Sequence, residues 1–255
     1  MNVPILAYHN IDKRSEWGIN TVSPSLFEKQ IRFLAEEGYR TISLFDHIAG
    51  AVDDKSIIIT FDDAYEGVLS HAFPVLERYG MSATIFVISD YVGSENLWDN
   101  NLGGRTFRHL SWSGLERLVE AGWEIGSHTA THRDLLGLAH SDLRDELVRS
   151  REALEGRLGI HVQFISYPFN RVDATVIRMA EFAGYKGGCS MTNRRRLSRE
   201  FANYVIARRG VYAIDLLPIF RQKIVMRGVS RIFDLSQRVI SACSMGSILY
   251  RRLQD

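Results

Sequence analysis

Short apolar runs alternate with amphipathic stretches from residue 3 to residue 211. The runs are rich in β-branched residues and nearly all apolar, which is typical of strands covered on both faces. The stretches between them repeat apolar residues at helical spacing. The predicted strands are residues 3–8, 56–61, 83–88, 123–127, 162–167, 185–190 and 204–211. The predicted helices are residues 25–37, 65–78, 113–120, 141–158 and 173–183.

A glycine stands between a helical stretch and the next strand at five places in the chain. Glycine is favoured just after a helix because it adopts the left-handed conformation without a steric penalty. Repeated helix–glycine–strand units indicate parallel strands, either in a doubly wound sheet or in a barrel. We favour an α/β fold, an irregular (β/α) barrel of about seven parallel strands with a C-terminal helical appendage. The five glycines are Gly38, Gly80, Gly122, Gly159 and Gly184.

The pattern changes after residue 212. We therefore predict a catalytic domain over residues 1–212 and a basic helical appendage over residues 213–255. Residues 194–255 contain 13 Lys and Arg against 4 Asp and Glu, a net charge of +9 in a chain whose total is +1. Such a segment can contact an anionic membrane surface. Alternatively, its apolar face closes the barrel and its basic side chains are solvated.

Composition and cysteine content limit where the protein acts. No apolar run approaches the roughly 18 residues of a membrane span, and the N-terminal residues lack a signal-peptide pattern. Cys189 and Cys243 are too few for a disulfide framework. We therefore expect a cytoplasmic protein, with membrane association only through the basic segment. The basic residues are not interleaved with aromatic ones, which argues against nucleic-acid binding.

Two adjacent acids, Asp62 and Asp63, follow directly after the predicted strand 56–61. The carboxyl ends of parallel strands form the site face of an α/β fold. Neighbouring carboxylates repel each other unless a cation or different environments separate their roles. One could bind a metal ion while the other acts as a base. The structural alternative is a helix N-cap, because Asp is favoured there and residues 64–69 could begin a helix.

Two histidines, His128 and His132, follow the predicted strand 123–127. At this spacing they share one face if the turn is helical. Imidazole is a common nitrogen ligand for zinc, and two histidines with one carboxylate leave coordination positions open for water. A lone histidine is more often a satisfied core or surface residue. The pair at a strand end therefore favours a catalytic metal site.

Two further strand ends carry candidate residues. Tyr167 ends the predicted strand 162–167, and Pro168 and Phe169 follow it. Aromatic side chains at this place can form the wall of a sugar pocket. His9 closes the first strand and could be an acid–base residue on the same face. Both segments also have an ordinary structural interpretation, a strand-to-loop exit and a partly buried histidine.

Together these segments resemble the polysaccharide deacetylase family, also called the NodB-homology domain. The resemblance rests on TFDD at 60–63, SHTATH at 127–132 and SYPFN at 166–170, in the family's order. The opening LAYHN at 6–10 is similar to a branch in which a Tyr-His pair begins the domain. The similar region covers residues 3–211 and implies a NodB-like barrel.

The resemblance implies a role for each candidate. Asp62 would be the general base, and Asp63, His128 and His132 would bind one divalent metal ion, Zn²⁺ before Co²⁺ or Ni²⁺. His9 would be the general acid of the Tyr-His branch. The residues bordering the sugar and acetyl pocket would be Tyr167, Pro168 and Phe169.

The chain departs from the family's pattern at three points. Ser166 occupies the place of an Arg that orients the base, and Asn170 replaces the usual Gly. The late Leu-x-His sequence of the family is missing, since the last histidine is His161. We expect His9 to replace the missing acid and Arg208 to replace the missing Arg.

These features predict a metal-dependent carbohydrate deacetylase, a hydrolase acting on C–N bonds other than peptide bonds. Its expected substrate is an N-acetylated sugar of a glycan or of a lipid-linked saccharide. A carbohydrate-binding protein on the same scaffold, with catalysis lost through the departures, is the alternative. A metal-dependent phosphoesterase fits less well, because such sites usually need two metal ions and more ligands.

Overall fold

Parallel strands form the centre of the molecule in a computed structural model that describes residues 3–14, 19–97, 106–191 and 198–225. The strands are β1 Ile5–Tyr8, β2 Asn10–Ile11, β3 Thr21–Val22, β4 Arg40–Thr41, β5 Ser56–Phe61, β6 Thr84–Val87, β7 Glu124–Ser127, β8 Phe164–Ser166, β9 Gly187–Ser190, β10 Ile206–Ala207 and β11 Arg209–Gly210. The helices are α1 Pro24–Glu36, α2 Leu44–Ile48, α3 Phe73–Arg78, α4 Trp112–Glu120, α5 His140–Leu158, α6 Ala174–Phe182 and α7 Leu217–Val225.

The main sheet runs in the order β10-β9-β8-β7-β6-β5-β1-β11, and every pairing in it is parallel. β10 and β11 are consecutive pieces of one segment, so this segment pairs with β9 at one edge and with β1 at the other. The sheet therefore curls into a barrel with seven strand positions in the described part of the chain. This confirms the predicted irregular (β/α) barrel.

Alternation along the strands separates two layers of core. Ile5, Ile58, Phe86 and Phe164 pack together inside the barrel and fill its lower part. The side chains on the opposite faces of the same strands, such as Ile57 and Ile59 of β5, pack against the helices. β5 is buried along its whole length because it has packed residues on both faces. The interior is thus closed below, and its upper part is left to polar side chains.

The helices begin and end at the predicted signals. Side chains of Ser23, Ser111 and Asp173 accept hydrogen bonds from the first turns of α1, α4 and α6. All five glycines predicted to follow helices have positive φ, from 63° at Gly80 to 93° at Gly184. A residue with a side chain would be strained in this conformation, which explains why glycine occupies the positions where the chain leaves a helix and turns towards the next strand.

The structure differs from the predicted elements in places where the sequence pattern is locally ambiguous. The predicted helix 65–78 contains a π-helical turn, Val68–Ala72, before α3. Pro74 has no N–H for a hydrogen bond, and the N–H of Phe73 instead reaches back to the carbonyl of Val68. The predicted strand 204–211 divides at Arg208 into β10 and β11.

The first part of the predicted appendage packs on the barrel. Phe220 and Ile224 of α7 are buried, and the Phe220 ring meets Phe33 of α1 edge-on at 6.2 Å between centroids. The buried Lys223 side chain donates to the carbonyl of Gly210 and pairs with Asp215. The rest of the appendage, residues 226–255, lies outside the described residues. Within the described ranges, none of the helices combines the length and hydrophobicity that a membrane crossing requires.

Candidate active site

Polar side chains collect at the carboxyl ends of three strands of the barrel. β5 leads into Asp62 and Asp63, β7 leads into His128, and β1 leads into His9. Because the four strands β1, β5, β6 and β7 are adjacent and parallel, these side chains meet above the barrel interior. The sequence predictions and the topology therefore converge on one end of the barrel.

The predicted metal ligands lie close together. The ligand atoms of Asp63, His128 and His132 are all within 4.8 Å of one another, and all three residues are buried. Asp63 Oδ1 is 3.4 Å from His128 Nε2 and 3.7 Å from His132 Nε2. Ligands bound tetrahedrally at about 2.1 Å lie about 3.4 Å apart, so the three residues fit a divalent ion. Asp63 Oδ1 also has no hydrogen-bond partner among the described residues.

The turn that carries Asp63 is not a helix N-cap. Asp63 and Ala64 have φ values of 67° and 54°, in the left-handed region, whereas an N-cap residue is normally extended. The chain segment around residue 109 holds this turn through its backbone. His109 Nδ1 donates to the carbonyl of Asp63 at 2.6 Å, and the N–H of Leu110 donates to the carbonyl of Ala64 at 2.8 Å. These bonds leave the Asp63 carboxylate free to face the histidines.

The turn that carries His128 and His132 is not helical. The two side chains therefore do not share a helix face, and that prediction is wrong. Thr129 and His132 have positive φ values of 66° and 59°, and this loop brings the two rings within 4.7 Å of each other. His128 Nδ1 donates to the carbonyl of Ser166 at 2.7 Å. Its Nε2 is therefore unprotonated in the neutral ring and faces Asp63, as a metal ligand requires.

The neighbouring acid, Asp62, is paired with Arg208. Both side chains are buried, and two parallel bonds of 2.7 Å join the guanidinium to the two carboxylate oxygens. Arg208 also donates to Ser166 Oγ at 2.7 Å and to Thr60 Oγ1 at 3.0 Å. The small Ser166 side chain leaves room for the guanidinium. Of the two neighbouring arginines, Arg208 is thus the one that reaches Asp62, whereas Arg209 donates to the carbonyl of Lys223.

The two acids are both ionised, for different reasons. Burial would raise the pKa of Asp62, but the charge of Arg208 outweighs it and holds that pKa below its usual value. Burial also opposes ionisation of Asp63, but its close contact with His128 and the charges of His132 and His9 outweigh burial and lower its pKa. For His128, burial favours the neutral ring, yet the two carboxylates raise its pKa.

His9 lies at the same end of the barrel. Its charge contributes to lowering the pKa of both Asp62 and Asp63, and the N–H of Asp62 donates to the carbonyl of Tyr8 next to it. His9 Nδ1 is buried and has no hydrogen-bond partner in the described ranges. The side chain is only partly buried, so it borders the open side of the site.

The third predicted segment is only partly at the site. Phe169 contacts His132, with ring centroids 4.8 Å apart, and Pro168 is buried beside it. The ring of Tyr167, in contrast, is 1% exposed and packs in the helix-facing core. Because Phe164 and Ser166 of β8 face the interior, alternation turns Tyr167 outwards. The structure therefore does not bring the Tyr167 side chain to the pocket.

Two buried residues near the ligands were not identified from the sequence. His109 supports the Asp63 turn, and its ring stacks on Tyr65 at 5.0 Å. Glu146 of α5 accepts hydrogen bonds from the backbone N–H groups of Ala130 and Thr131. Neither residue follows a predicted strand, and Glu146 stands among other charged residues of an amphipathic helix. No local pattern distinguishes them.

Comparisons with known proteins agree with this arrangement. A family model described as polysaccharide deacetylase matches residues 49–188. A putative polysaccharide deacetylase, YxkH of Bacillus subtilis, is 29% identical over 81% of this chain and 70% of its own length. The poly-β-1,6-N-acetyl-D-glucosamine N-deacetylase of Staphylococcus aureus is 25% identical over 68% of this chain, which spans 62% of that relative. The crystal structure of a polysaccharide deacetylase from Bacillus cereus, at 27% identity, superposes with a TM-score of 0.73 over 87% of this chain and 68% of that one.

Proposed function

Because the chain belongs to the polysaccharide deacetylase family, we propose that it removes acetyl groups from N-acetylated sugars with the help of one divalent metal ion. The observation that carries the proposal is the convergence of Asp63, His128 and His132 beside the Asp62–Arg208 pair. Three ligands with an ionised, unligated carboxylate next to them suit the hydrolysis of an amide. Zn²⁺ fits the ligand set, and Co²⁺ and Ni²⁺ are alternatives.

The residues divide the reaction among them. Asp63, His128 and His132 would hold the divalent ion, which would supply Lewis acidity for the acetyl carbonyl and the attacking water. Asp62 accepts the proton of that water, and Arg208 keeps the Asp62 carboxylate ionised and oriented. The backbone N–H of Phe169 donates to the developing oxyanion. His9 gives a proton to the leaving nitrogen, so the products are acetate and a free amino sugar.

The substrate class follows from the relatives only as a proposal. We propose β-1,6-linked N-acetylglucosamine oligomers as the first substrates to test. A relative named as a deacetylase of that polymer matches 68% of this chain. Acetate release should be measured on a panel of N- and O-acetylated glycans, with Zn²⁺ or Co²⁺ added back to apo-protein. Release from N-acetylated sugars that needs added metal supports the proposal. Binding of the glycans without acetate release would favour the degenerate binding protein instead.

His9 gives a sharper test of the mechanism. Removing a general acid should lower kcat by about 10² or more while leaving metal content unchanged. His9→Ala should be compared with His161→Ala, since the His161 side chain is 89% exposed and far from any proposed role. Wild-type turnover in His9→Ala would leave His9 as a structural histidine and require another acid.

A lipid-linked saccharide is the second substrate class to test. Ile214 and Leu216, just before α7, are 59% and 60% exposed, and the basic segment 194–255 has a net charge of +9. Exposed apolar side chains next to basic ones favour contact with anionic lipids. Full-length protein should then co-sediment with phosphatidylglycerol liposomes, less so as salt rises. No binding at low salt would remove the membrane contact. The cytoplasmic setting stays a prediction.

A further inference from the structure

The loop that carries His128 and His132 has a backbone conformation that is unfavourable by itself. Two of its non-glycine residues, Thr129 and His132, have positive φ, and such conformations persist only where surrounding contacts hold them. The Nε2 atoms of both histidines must nevertheless reach the same point opposite Asp63. The contacts that hold the loop therefore determine whether the ligand set is preorganised.

A single carboxylate makes three of these contacts. Glu146 Oε2 accepts the N–H groups of Ala130 at 3.0 Å and of Thr131 at 2.9 Å, and Glu146 Oε1 accepts the hydroxyl of Thr131. Glu146 is 3% exposed. Within the described residues it forms no ion pair, so loop donors alone compensate its charge. Three donors on one buried carboxylate make charge-assisted bonds, the stronger class of hydrogen bond.

The same helix holds the loop at a second point. Ser150, one turn after Glu146 in α5, shares a hydrogen bond of 2.7 Å with Ser127. Ser127 Oγ accepts the N–H of Thr129 at 3.1 Å, and Thr129 Oγ1 accepts the N–H of His132 at 3.0 Å. A continuous set of hydrogen bonds thus connects α5 to a metal-ligand residue.

The position of Glu146 argues against a role in capping or in solubility. It lies in the interior of α5, among Leu143, Leu147 and Leu154, which cover the sheet. A leucine there would pack without the cost of burying a charge. The carboxylate is useful because the turn above it presents three donors, of which, in the described part of the chain, only the N–H of Ala130 has a second acceptor, the backbone carbonyl of Glu146.

We propose that Glu146 is a positioning residue for the metal site. It touches neither metal nor substrate and fixes the loop so that His128 and His132 meet Asp63. This inference rests on the proposed function for its metal. Its prediction is that a change at Glu146 raises the Kd for Zn²⁺ even though all three ligands remain.

The test is Zn²⁺ binding to apo-protein of Glu146→Gln, measured by competition with a chelator. Supporting residues of metal sites typically contribute about 10- to 100-fold in affinity, and we expect a loss in that range. Amide exchange at Ala130 and Thr131 should also become faster in the metal-free variant, a readout that does not depend on metal or activity. Saturating Zn²⁺ should restore most of kcat, because no reacting group is changed.

The matched control is Glu152→Gln, an exposed glutamate of the same helix. It should leave the Kd for Zn²⁺ and the loop exchange rates unchanged. If Glu146→Gln does not fold, Thr131→Val removes only the hydroxyl that donates to Oε1 and should show the same effects more weakly. A folded Glu146→Gln with wild-type Kd and exchange rates overturns the positioning role. Wild-type protein that binds no Zn²⁺ overturns the proposed function instead, and the exchange rates then still decide whether Glu146 holds the loop.

Discussion

The two adjacent acids belong to two halves of the site that are built differently. The base half contains Asp62 and Arg208, and the metal half contains Asp63, His128 and His132. Asp62 is held by side chains: Arg208 binds both carboxylate oxygens, and Ser166 and Thr60 bind Arg208 in turn. Asp63, His128 and His132 are held mainly through their backbones or their far ring nitrogens, so that their ligand atoms point at one another. The first half is a bidentate ion pair. The second is a group of ligand atoms that could hold a metal ion.

This difference shows how neighbouring carboxylates can perform different work. The fixed positive charge of Arg208 keeps the Asp62 carboxylate ionised and fixes its orientation. Both properties suit a proton acceptor. A cluster of acceptors without a fixed cation around Asp63 suits a metal ion. The left-handed backbone at Asp63 turns its side chain away from Arg208 and towards the histidines. Substitutions in the two halves should therefore have separable effects.

The largest expected effect comes from removing a ligand. His128→Ala should weaken Zn²⁺ binding more than the roughly 100-fold upper range seen for supporting residues, because a coordinate bond and the site geometry are both lost. Elemental analysis of the purified variant should find metal well below one ion per chain, with turnover lost in parallel. His161→Ala serves as the control. Full metal content in His128→Ala would show that the cluster is not the metal site.

Next in size is the loss of the base. Asp62→Asn should keep its metal and lose about 10²- to 10⁴-fold in kcat, because the amide cannot accept the water's proton. Asp63→Asn is the matched variant and should lose metal as well as turnover, since an amide oxygen is a weaker ligand. Metal content and acetate release measured on the same preparations separate the two. Equal metal loss in both variants would mean that the halves are not distinct.

Replacing Arg208 should lower the free energy of unfolding as well as the turnover. Arg208→Met leaves the Asp62 carboxylate buried without a partner, which costs about 3–5 kcal/mol in the free energy of unfolding. The Asp62–Arg208 pair lowers the pKa of Asp62, so its stabilisation is present above the ordinary Asp pKa and is lost as pH falls through the lowered one. In the variant, burial still raises the pKa of Asp62 and the largest opposing charge is gone, so this pKa lies above its value in the wild type. The difference in the free energy of unfolding between wild type and Arg208→Met should therefore become smaller as the pH falls. The acid limb of the kcat/KM profile should move to higher pH in the variant.

Denaturant unfolding at several pH values checks this expectation. Arg208→Met/Asp62→Asn is the informative control, because it removes both charges and should regain stability without regaining turnover. A stability gap that is independent of pH would argue that packing over Phe86, rather than charge, accounts for the loss.

The smallest expected effect lies at the edge of the base half. Ser166→Ala removes one acceptor of Arg208 while the bonds to Asp62 and Thr60 remain, so a loss of about 1.5 kcal/mol in the free energy of unfolding is expected. Zn²⁺ affinity should not change, because His128 bonds the backbone carbonyl of residue 166, which alanine retains. Weaker Zn²⁺ binding in this variant would show that the two halves are coupled through β8.

The sequence by itself determined the parts of this protein that depend on short-range pattern. The spacing of apolar residues and the positions of glycine predicted the parallel strands and the turns after the helices. The strand ends predicted that Asp62, Asp63, His128 and His132 meet at one end of the barrel. These succeed because side-chain alternation, glycine turns and the common direction of parallel strands follow from neighbouring residues. Alternation also separates Arg208 from Arg209, and the structure brings Arg208 to Asp62. That Arg208 takes the role of the family's Arg stays a prediction.

Only the tertiary structure decided which distant groups hold the site. His109 supports the Asp63 turn from 46 residues away, and Glu146 supports the histidine loop from another helix. It also decided that Tyr167 faces the helices, that residues 206–210 close the barrel, and that the histidine turn is a left-handed loop instead of a helix. The physical reason is common to all of these. Each depends on which buried donors and acceptors meet across the fold, and a buried polar group must find its partner wherever the chain brings one.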